Sequence, residues 1–523
     1  MKRLSLFFAA AIFLNALCWV IFIPVWQYPD EQAHFAQVQD FAELNHVPIG
    51  EPNSSYEIIL SEKYLLTERN ERGDNPFVYH PQRKLNVKKS FYGPGEKIIN
   101  ELPQSTRKVM VKSESTNNPP LYYFLSAAIY RILYQSNLFT RIFAIRIFSL
   151  FIYMLTIFLT FKLGVKIFYN RSISKITFAS LIAFAPMYVF SSTGILTDPF
   201  TNLLFTALIF LCIKVLINGF NKLSLALLIT TIILGTFTRQ HFIVSIPIVM
   251  LAVVIRTIRY TKHLKIIIFV LPTVSAILVL SNFATKVPIL SNFRIPEGMF
   301  NAKLLFSLNF VQYSSWTVRH TYHETMPWFW GVYKWLSLTL PPETYRFINR
   351  IILLAAFGFV IRIFKIIKAK KIEEKDYIAF FMATTICLYY LSFVVWDYFF
   401  HLNHNFSFGI QGRYFFPIMI PIFYILTYGL FEVFKIVFQK YTKYVLFLLS
   451  ALIIIYNNYS LYFVTKSYYD FQNLGSIVNY LSQYKPLFLK GNILIVIPLC
   501  AVLFEGLFIF SFLRYILRTN ESN

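Results

Sequence analysis

The sequence predicts an all-α polytopic membrane protein with about twelve transmembrane helices. Of its 523 residues, 56% are hydrophobic and 14% are charged, whereas a soluble globular chain carries about 25% charged residues. The many aliphatic and aromatic side chains exclude an intrinsically disordered chain. The formal net charge of +24 would suit a nucleic-acid partner, but the hydrophobicity argues against this class, so we predict no nucleic-acid partner.

Twelve apolar stretches approach or exceed the length needed to cross a bilayer core, which takes about 20 helical residues. We place them near residues 4–26, 143–165, 176–196, 200–218, 223–238, 241–258, 265–287, 347–367, 377–396, 414–435, 444–465 and 491–513. The fifth and sixth are short, which is compatible with a tilted or incomplete crossing. We treat residues 1–523 as a single membrane domain.

The Lys and Arg residues of the short connections predict the orientation, because such residues are enriched in cytoplasmic loops. Lys2 and Arg3 precede the first span and place the N-terminus in the cytoplasm. With twelve spans, every short basic turn and the C-terminus then lie on the same side. We therefore predict a multi-pass protein of the plasma membrane (the inner membrane of a bacterium) with both termini cytoplasmic.

The apolar segment 119–135 tests this topology, since an additional span there would invert everything that follows. It begins with Pro-Pro-Leu-Tyr-Tyr, and proline is favoured in the first turn of a helix. Aromatic side chains are enriched at headgroup depth. We predict an interfacial helix on the outer face rather than a thirteenth span.

Polar side chains concentrate in the predicted outer connections. The large first outer loop, residues 27–118, contains 13 of the 25 acidic residues, and the second outer loop covers residues 288–346. The inner connections are short. This distribution predicts that the active site lies on the outer face.

The motif directly after the first span contains the candidate catalytic residues Asp30, Glu31 and His34. Pro29 followed by two acids indicates a helix start, where carboxylates meet the positive end of the helix dipole. Asp30 and His34 are four residues apart and share a helix face. A carboxylate fixed there can accept a proton from an incoming hydroxyl. The alternative interpretation is a helix cap beside an ordinary solvated acid.

Further candidates for substrate binding lie at the outer ends of other spans. They are Asp198, Arg239, His241, Arg413 and Tyr414. The planar guanidinium group of arginine suits phosphate, and the acid lies on the same predicted face as the first motif. The alternatives are a turn residue before a proline for the acid, and helix-anchoring arginines whose charged ends reach the interface.

His320 and His323 lie in an aromatic part of the second outer loop, and we assign them to substrate binding as well. Histidines three or four residues apart can also share a metal ion. Neither this pair nor Asp397, His401 and His404 forms a complete ligand set. The identity of a metal site is therefore left open.

Five blocks in chain order resemble the GT-C superfamily of polytopic membrane glycosyltransferases, which take sugars from polyprenyl- or dolichyl-phosphate carriers. Residues 28–34 (Tyr-Pro-Asp-Glu-Gln-Ala-His) are similar to the Pro-Asp-Glu-x-x-His form of a bacterial branch of membrane proteins, and residues 118–123 (Asn-Pro-Pro-Leu-Tyr-Tyr) to its next block. Residues 141–164 resemble its second span, residues 197–198 its outer acid and residues 411–417 a late block. The resemblance covers most of the chain.

The resemblance implies an inverting transfer of a sugar from a polyprenyl-phosphate-linked donor to a cell-envelope acceptor on the outer face of the membrane. The acceptor is open between a glycan, a lipid and a protein. By the same resemblance, Asp30 is the general base that deprotonates the acceptor hydroxyl, with Glu31 as the alternative base. His34 orients the base or hydrogen-bonds the sugar or phosphate.

The resemblance also implies roles for residues at the other span ends. Asp198 shapes the acceptor or donor pocket, while Arg239 and Arg413 hold the phosphate of the lipid carrier and stabilise the charge of the leaving group. Some members of the superfamily use a divalent metal and others do not. A divalent metal is thus possible, and no cofactor is certain.

Three other functions compete with this type of glycosyltransferase. A transporter or flippase of lipid-linked glycans would also have about twelve spans, but transporters tend to show two similar halves and helices broken at the midplane. A polysaccharide polymerase or ligase characteristically carries its large outer loop late in the chain, whereas the largest loop here comes first. A non-catalytic scaffold would leave the outer acids dispensable.

Overall fold

The computed structural model describes residues 2–44, 53–70, 73–88, 90–112, 118–168, 171–260, 307–469 and 474–519. Within these ranges the chain is almost entirely helical. The helices are α1 (Lys2–Phe22), α2 (Glu31–Glu43), α3 (Tyr56–Leu65), α4 (Glu96–Asn100), α5 (Leu121–Ile132), α6 (Leu138–Ile167), α7 (Ser172–Ala183), α8 (Pro186–Thr193), α9 (Asp198–Asn218), α10 (Lys222–Thr236), α11 (Ser245–Tyr260), α12 (Leu308–His320), α13 (Met326–Gly331), α14 (Pro342–Ala369), α15 (Glu374–His404), α16 (Met419–Val437), α17 (Thr442–Tyr468), α18 (Leu474–Ser482) and α19 (Ile493–Arg518).

Two short antiparallel strand pairs are the sheet structure of the described ranges. Strand β1 (Asn53–Ser55) pairs with β2 (Met110–Lys112) inside the first predicted outer loop, and β3 (Val332–Tyr333) pairs with β4 (Leu338–Thr339) in a hairpin. Short 3-10 segments comprise Gln104–Lys108, Gln240–Val244, Gly412–Ile418, Gln439–Tyr441 and Leu487–Leu489, and a π-helical turn covers Thr321–Thr325.

Among the described residues, eight helices are long and apolar enough to cross a membrane, and the bent pair α7–α8 would make a ninth. The eight are Arg3–Phe22, Leu138–Ile167, Asp198–Asn218, Gln240–Arg259, Glu374–His404, Gly412–Val437, Gln439–Tyr468 and Ile493–Arg518. The prediction of an all-α polytopic membrane protein is confirmed, while the count of twelve stays a prediction. The predicted span 265–287 and the start of the second outer loop (288–306) lie outside the described residues.

The predicted third span, residues 176–196, is broken rather than continuous. Helices α7 and α8 meet at an angle of 57°. The break has a local cause, because Pro186 opens α8 and Ala185 before it is extended (φ −66°, ψ 112°), as the residue preceding a proline prefers. Beyond the break, the Thr193 hydroxyl lies 3.0 Å from the hydroxyl of Tyr28, so α8 supports the turn that follows α1.

Helix α5 occupies the segment predicted to be an interfacial helix. Its 12 residues are fewer than the roughly 20 that a crossing requires. It packs against α2, where Tyr130 donates a hydrogen bond to Glu43 (2.8 Å) and Arg131 donates to the carbonyl oxygen of Phe41 (2.9 Å). Its depth in a membrane stays a prediction.

Helices α14 and α16 approach each other closely through small residues. A Cβ atom on Gly358 would collide with the carbonyl group of Gly429, and one on Gly429 would collide with that of Ala355. Small residues allow such close approach between helices in membranes. The predicted span 347–367 lies within α14, which this contact fixes against α16.

Contacts between distant segments define two ends of the helix bundle. At one end, Trp335 Nε1 donates to the carbonyl oxygen of Trp26 (3.2 Å). At the other end, basic residues of the short turns contact neighbouring helices, as in the pairs Lys166 with Asn218, Arg259 with Glu374, Arg362 with Asp376 and Lys365 with Glu432. We call them the cavity end and the basic end. The side of the membrane on which each lies stays a prediction.

Cysteine labelling tests this orientation. Tyr79→Cys, at a side chain that is 76% exposed near the cavity end, should react with a membrane-impermeant thiol reagent added to intact cells. Lys371→Cys, at an exposed residue beyond the end of α14, should react only after the membrane is permeabilised. The unsubstituted chain, with its four native cysteines, measures the background. The reverse pattern would invert the predicted topology.

Candidate functional site

A cavity of about 350 Å³ opens at the cavity end of the bundle. Its walls come from the turn after α1, residues 74–79 of the first predicted outer loop, helices α8 and α13, the β3–β4 hairpin, and residues 411–413 before α16. Asp30 and Arg413 both line it. We call this space the polar cavity.

Asp30 stands at the start of α2 in the left-handed backbone conformation, with φ 54° and ψ 20°. Few residues other than glycine adopt this conformation, and aspartate is among those that do. The side chain makes no capping hydrogen bond to α2, so the interpretation of Asp30 as a simple helix cap does not hold. Its carboxylate is 45% exposed and is available to the cavity.

Arg413 crosses from the start of the Gly412–Ile418 segment to Asp30. Its Nη2 atom lies 3.2 Å from Asp30 Oδ2, and its Nε donates to Gln411 Oε1 at 2.9 Å. Gly412 packs against the backbone of Trp328 and Phe329, where a Cβ atom would collide. The glycine therefore permits the close packing that brings Arg413 to the cavity.

A second acid–arginine pair lies beside the first. Arg239 forms an ion pair with Asp198, and both arginines lie over the ring of Tyr414, at 5.5 Å for Arg239 and 5.8 Å for Arg413. The structure thus brings together five of the sequence-predicted residues. We call Asp30, Asp198, Arg239, Arg413 and Tyr414 the acid–arginine cluster.

His34 is buried behind Asp30. Its Nδ1 atom lies 2.6 Å from the hydroxyl oxygen of Tyr123, and the two rings are stacked. Burial lowers the pKa of His34 to about 4, although the negative charges of Asp30 and Asp198 act in the opposite direction. The imidazole is therefore neutral near pH 7 and suited to hydrogen bonding and positioning.

Glu31 does not line the polar cavity, which is a correction to its prediction as an alternative base. Its carboxylate is fully buried and receives two hydrogen bonds from the guanidinium group of Arg146, at 2.7 and 2.6 Å. The backbone N–H of Trp26 donates a third at 3.0 Å. With its oxygens engaged and no exposure, Glu31 has a structural role.

Sequence reasoning missed Arg146, although a signal was present. An arginine inside a predicted span is costly unless it is paired or functional. Besides Glu31, it donates to the carbonyl oxygens of Val20, Ile23 and Pro24, at 3.2, 2.7 and 2.8 Å. Arg146 thereby provides hydrogen-bond donors for the carbonyl groups at the end of α1 and neutralises the charge of Glu31 at the start of α2.

His241 reaches the acid–arginine cluster through one intervening ring. It stacks on Phe393 at a centroid distance of 4.8 Å, and Phe393 stacks on Tyr414 at 5.6 Å. It also contacts the ring of Trp396. His241 therefore supports the cluster from behind rather than facing the polar cavity.

His320 and His323 lie elsewhere. His320 stacks on Trp316 at 5.3 Å, with Nδ1 4.0 Å from Glu324, and His323 contacts the ring of Tyr322. Within the described ranges, no contact links either histidine to the acid–arginine cluster or to the polar cavity. The structure does not place them with the other predicted substrate-binding residues.

The donor set of the site does not fit a divalent cation. Each carboxylate of the acid–arginine cluster is already engaged by an arginine. Among the described residues, no group of three or more His, Cys, Asp or Glu side chains could hold a metal ion. We therefore derive no catalytic step through a metal.

The β3–β4 hairpin contributes a wall that the sequence did not predict. Lys334, Trp335 and Leu336 have consecutive positive φ angles of 52°, 52° and 63°. Strained backbone of this kind persists only where the surroundings hold it, often at functional sites. Here Lys334 Nζ donates to the carbonyl oxygens of Pro81 (2.7 Å) and Ser467 (2.9 Å). No local sequence signal reveals such a conformation.

Some residues that neighbour the lining of the polar cavity in the chain line an apolar groove. A space of about 320 Å³ is lined by residues that include Phe329, Phe415 and Tyr390, and it adjoins a second space of about 300 Å³ that shares Trp330 and Leu426 with it. Both linings are almost wholly apolar. We call these two spaces the apolar groove. Phe329 directly follows Trp328 of the polar cavity, and Phe415 lies two residues after Arg413.

Fold and site together define a polytopic helical membrane protein with a charged cavity beside an apolar groove at one end of its bundle. The chain matches, over residues 13–422, the family described as "Predicted membrane protein (DUF2142)". It belongs to that family. The matched range contains the whole acid–arginine cluster.

The fold also has similarities among solved structures, each at low identity. The archaeal oligosaccharyltransferase AglB from Archaeoglobus fulgidus, in complex with an inhibitory peptide and a dolichol-phosphate, matches 91% of this chain with a TM-score of 0.42 and 13% identity. The apo form of the Archaeoglobus fulgidus oligosaccharyltransferase matches 90% with a TM-score of 0.41 and 14% identity. This chain covers 57% of each of those chains. No curated protein matches it.

Removal of Arg146 should destabilise the fold strongly, because it leaves Glu31 as a buried unpaired charge. Arg146→Met is expected to cost about 3–5 kcal/mol, measured as a lower thermal unfolding midpoint of the purified protein in detergent. The matched control is Arg346→Met, at a side chain that is 72% exposed. Equal midpoints for the two variants would contradict the role assigned to the buried pair.

Burial of His34 also predicts a pH dependence of stability. The unfolded side chain has a pKa of 6.5 and the folded one about 4, so between these values the unfolded chain binds a proton that the folded chain does not. Stability should therefore fall as pH decreases from 6.5 to 4, by at most about 3 kcal/mol. His34→Gln should lose this part of the dependence in thermal unfolding, whereas a control at the exposed His404, His404→Gln, should keep it.

Proposed function

We propose that the protein is a GT-C-type glycosyltransferase of the plasma membrane. It moves a sugar from a polyprenyl-phosphate-linked donor to a cell-envelope acceptor on the outer face. The observation that carries the proposal is that neighbouring residues line the charged polar cavity and the apolar groove, Trp328 beside Phe329 and Arg413 near Phe415, which would form a junction between the two spaces. A lipid-linked sugar needs such a junction, because its tail is apolar while its phosphate and sugar are polar.

The prenyl tail would lie in the apolar groove against Phe329 and Phe415. The phosphate would then reach Arg413, which lies two residues from Phe415 and at the edge of the cavity. Arg239 adds a second guanidinium group across the ring of Tyr414. Arginine binds phosphate through a planar set of donors, so this position suits the lipid phosphate.

Donor binding would change the partner of Arg413. Without a donor, Arg413 pairs with Asp30 at 3.2 Å. A phosphate that takes over the guanidinium group releases the Asp30 carboxylate, which then accepts the proton of an acceptor hydroxyl. Binding of the negatively charged phosphate thereby makes the Asp30 carboxylate available as a base.

The chemical step follows from these positions. Asp30 takes the proton of the acceptor hydroxyl, whose oxygen attacks the anomeric carbon of the donor sugar. The bond between that carbon and the phosphate oxygen breaks, and its electron pair stays on the phosphate. Arg413 and Arg239 stabilise the charge that develops there. Attack opposite the leaving phosphate inverts the anomeric configuration.

The neutral His34 would act as a positioning residue behind the base. It lies at the start of α2, one helical turn from Asp30, and it is fixed by the hydroxyl of Tyr123. Tyr123 also receives a hydrogen bond from Asn118 (3.3 Å). The sequence blocks 28–34 and 118–123 thus meet in one hydrogen-bond chain, which holds α2 against α5.

Substitution of the base tests the proposal. Asp30→Asn should lower the rate of sugar transfer by about 10²- to 10⁴-fold, the usual contribution of a general base, without lowering the thermal unfolding midpoint. The assay uses the purified full chain in lipid nanodiscs, radiolabelled polyprenyl-phosphate hexoses and a cell-envelope extract as acceptor. Glu343→Gln, at an exposed acid at the start of α14, is the matched control.

Two outcomes would contradict the proposal. If the folded Asp30→Asn protein transferred sugar as fast as the original, Asp30 would not be the base. If the original chain consumed no lipid-linked donor but moved a lipid-linked glycan or a solute across vesicles, the enzyme assignment would fail in favour of a transporter or flippase.

A further inference from the structure

Asp74 is a second carboxylate on the wall of the polar cavity. Its turn is held by backbone and amide contacts: the Asp74 N–H donates to Asn70 Oδ1 (2.9 Å), and the Asn70 N–H donates to the Asp74 carbonyl oxygen (3.1 Å). The carboxylate itself receives a long hydrogen bond of 3.4 Å from Asn70. In the part of the chain that the structure describes, no cation pairs with it. Asp74 therefore retains capacity to accept hydrogen bonds from a ligand.

Aromatic side chains line the same cavity around this acid. They are Tyr79, which is largely exposed, and Trp328, which is followed in the chain by Phe329 of the apolar groove. The third is Trp335, which is fixed by its hydrogen bond to the carbonyl oxygen of Trp26. Ligand sites combine apolar and aromatic walls with a few placed polar groups. A sugar ring matches both, since its C–H faces pack on aromatic rings and its hydroxyls donate to a carboxylate acceptor.

The cavity has a size that suits one ring. Its volume of about 350 Å³ lies at the lower end of the range of roughly 300–1,000 Å³ for small-molecule sites. With the lipid tail assigned to the apolar groove and the phosphate to Arg413, this space remains for a sugar.

The charges of the cavity distinguish between classes of sugar. Asp30 forms an ion pair with Arg413. The Lys334 ammonium group donates hydrogen bonds to two backbone carbonyl oxygens. Among the described residues, no cation matches the negative charge of Asp74. A ring bearing a carboxylate or phosphate would be repelled there, whereas a neutral or amino-substituted ring would not.

We propose that Asp74, Tyr79, Trp328 and Trp335 form a subsite for a neutral or amino-substituted sugar ring, and that Asp74 selects against anionic rings. The inference rests on the proposed function, since it assigns the sugar-binding part of the same cavity. The ring belongs either to the donor or to the acceptor, and both share this chemistry.

Saturation-transfer NMR on the purified full chain in nanodiscs tests the subsite. The probes are methyl glucoside, glucosamine and glucuronate. The original chain should transfer saturation to the ring protons of the first two and little to glucuronate. Asp74→Asn should raise the glucuronate signal relative to methyl glucoside by about fivefold, the effect of one partly exposed charge interaction. Tyr79→Ala should lower the methyl glucoside signal.

Glu343→Gln is the matched control and should behave as the original chain. Equal glucuronate discrimination in the original and Asp74→Asn proteins, at equal unfolding midpoints, would overturn the selection by Asp74. Methyl glucoside signals unaffected by Tyr79→Ala would overturn the aromatic subsite. Because turnover is not the readout, these failures are distinct from failure of the Asp30 transfer assay.

Competition with lipid phosphates distinguishes the two sources of the ring. Displacement of methyl glucoside by a polyprenyl-phosphate hexose but not by farnesyl phosphate supports a subsite for the donor sugar. Retention of methyl glucoside in the presence of both supports a subsite for the acceptor sugar. Displacement by farnesyl phosphate alone would mean that the probe occupies the phosphate position, which would overturn the inference.

Discussion

The buried ion pair between Glu31 and Arg146 fixes the turn on which the site depends. The last carbonyl groups of a helix have no partner within it, and here Arg146 donates to the carbonyl oxygen of Val20 in α1 and to those of Ile23 and Pro24 just after it. Glu31 neutralises the arginine and begins the next helix. Three segments, α1, α2 and α6, are therefore joined at one buried point, directly beside Asp30 in the chain.

This anchoring explains how two adjacent acids acquire different environments. Glu31 points into the bundle, where it pairs with Arg146. The left-handed backbone conformation of Asp30 directs its own carboxylate outward. Loss of either partner would leave a buried charge, which is far more costly than loss of an exposed pair. The position of Asp30 relative to Arg413 is thus determined by packing rather than by its own single ion pair.

Hydropathy and charge predicted the helical membrane class and the meeting of three site residues. The features that they missed depend on contacts between distant segments or on single residues. The helical membrane class follows from long apolar stretches, and the meeting of Asp30, Asp198 and Arg413 follows from assigning span ends to one face. The burial of Glu31 was missed because it depends on an arginine from another helix. The Pro186 break was missed because averaged hydropathy does not register a single proline. Asp74 reaches the cavity only through the folding of the first loop, which leaves no periodic signal.

The arrangement of charges suggests why Asp30, the proposed base, has an arginine partner. In the proposed reaction, a carboxylate open to water beside a bound sugar would also activate water and favour hydrolysis of the donor. An Arg413 that pairs with Asp30 until a phosphate arrives withholds the carboxylate in the empty site. Once the phosphate is bound, a sugar ring in the cavity would limit the access of water. In this proposal, the Arg413 guanidinium group pairs with the Asp30 carboxylate before the donor binds. During transfer it stabilises the leaving phosphate, so one residue acts on both the base and the leaving group.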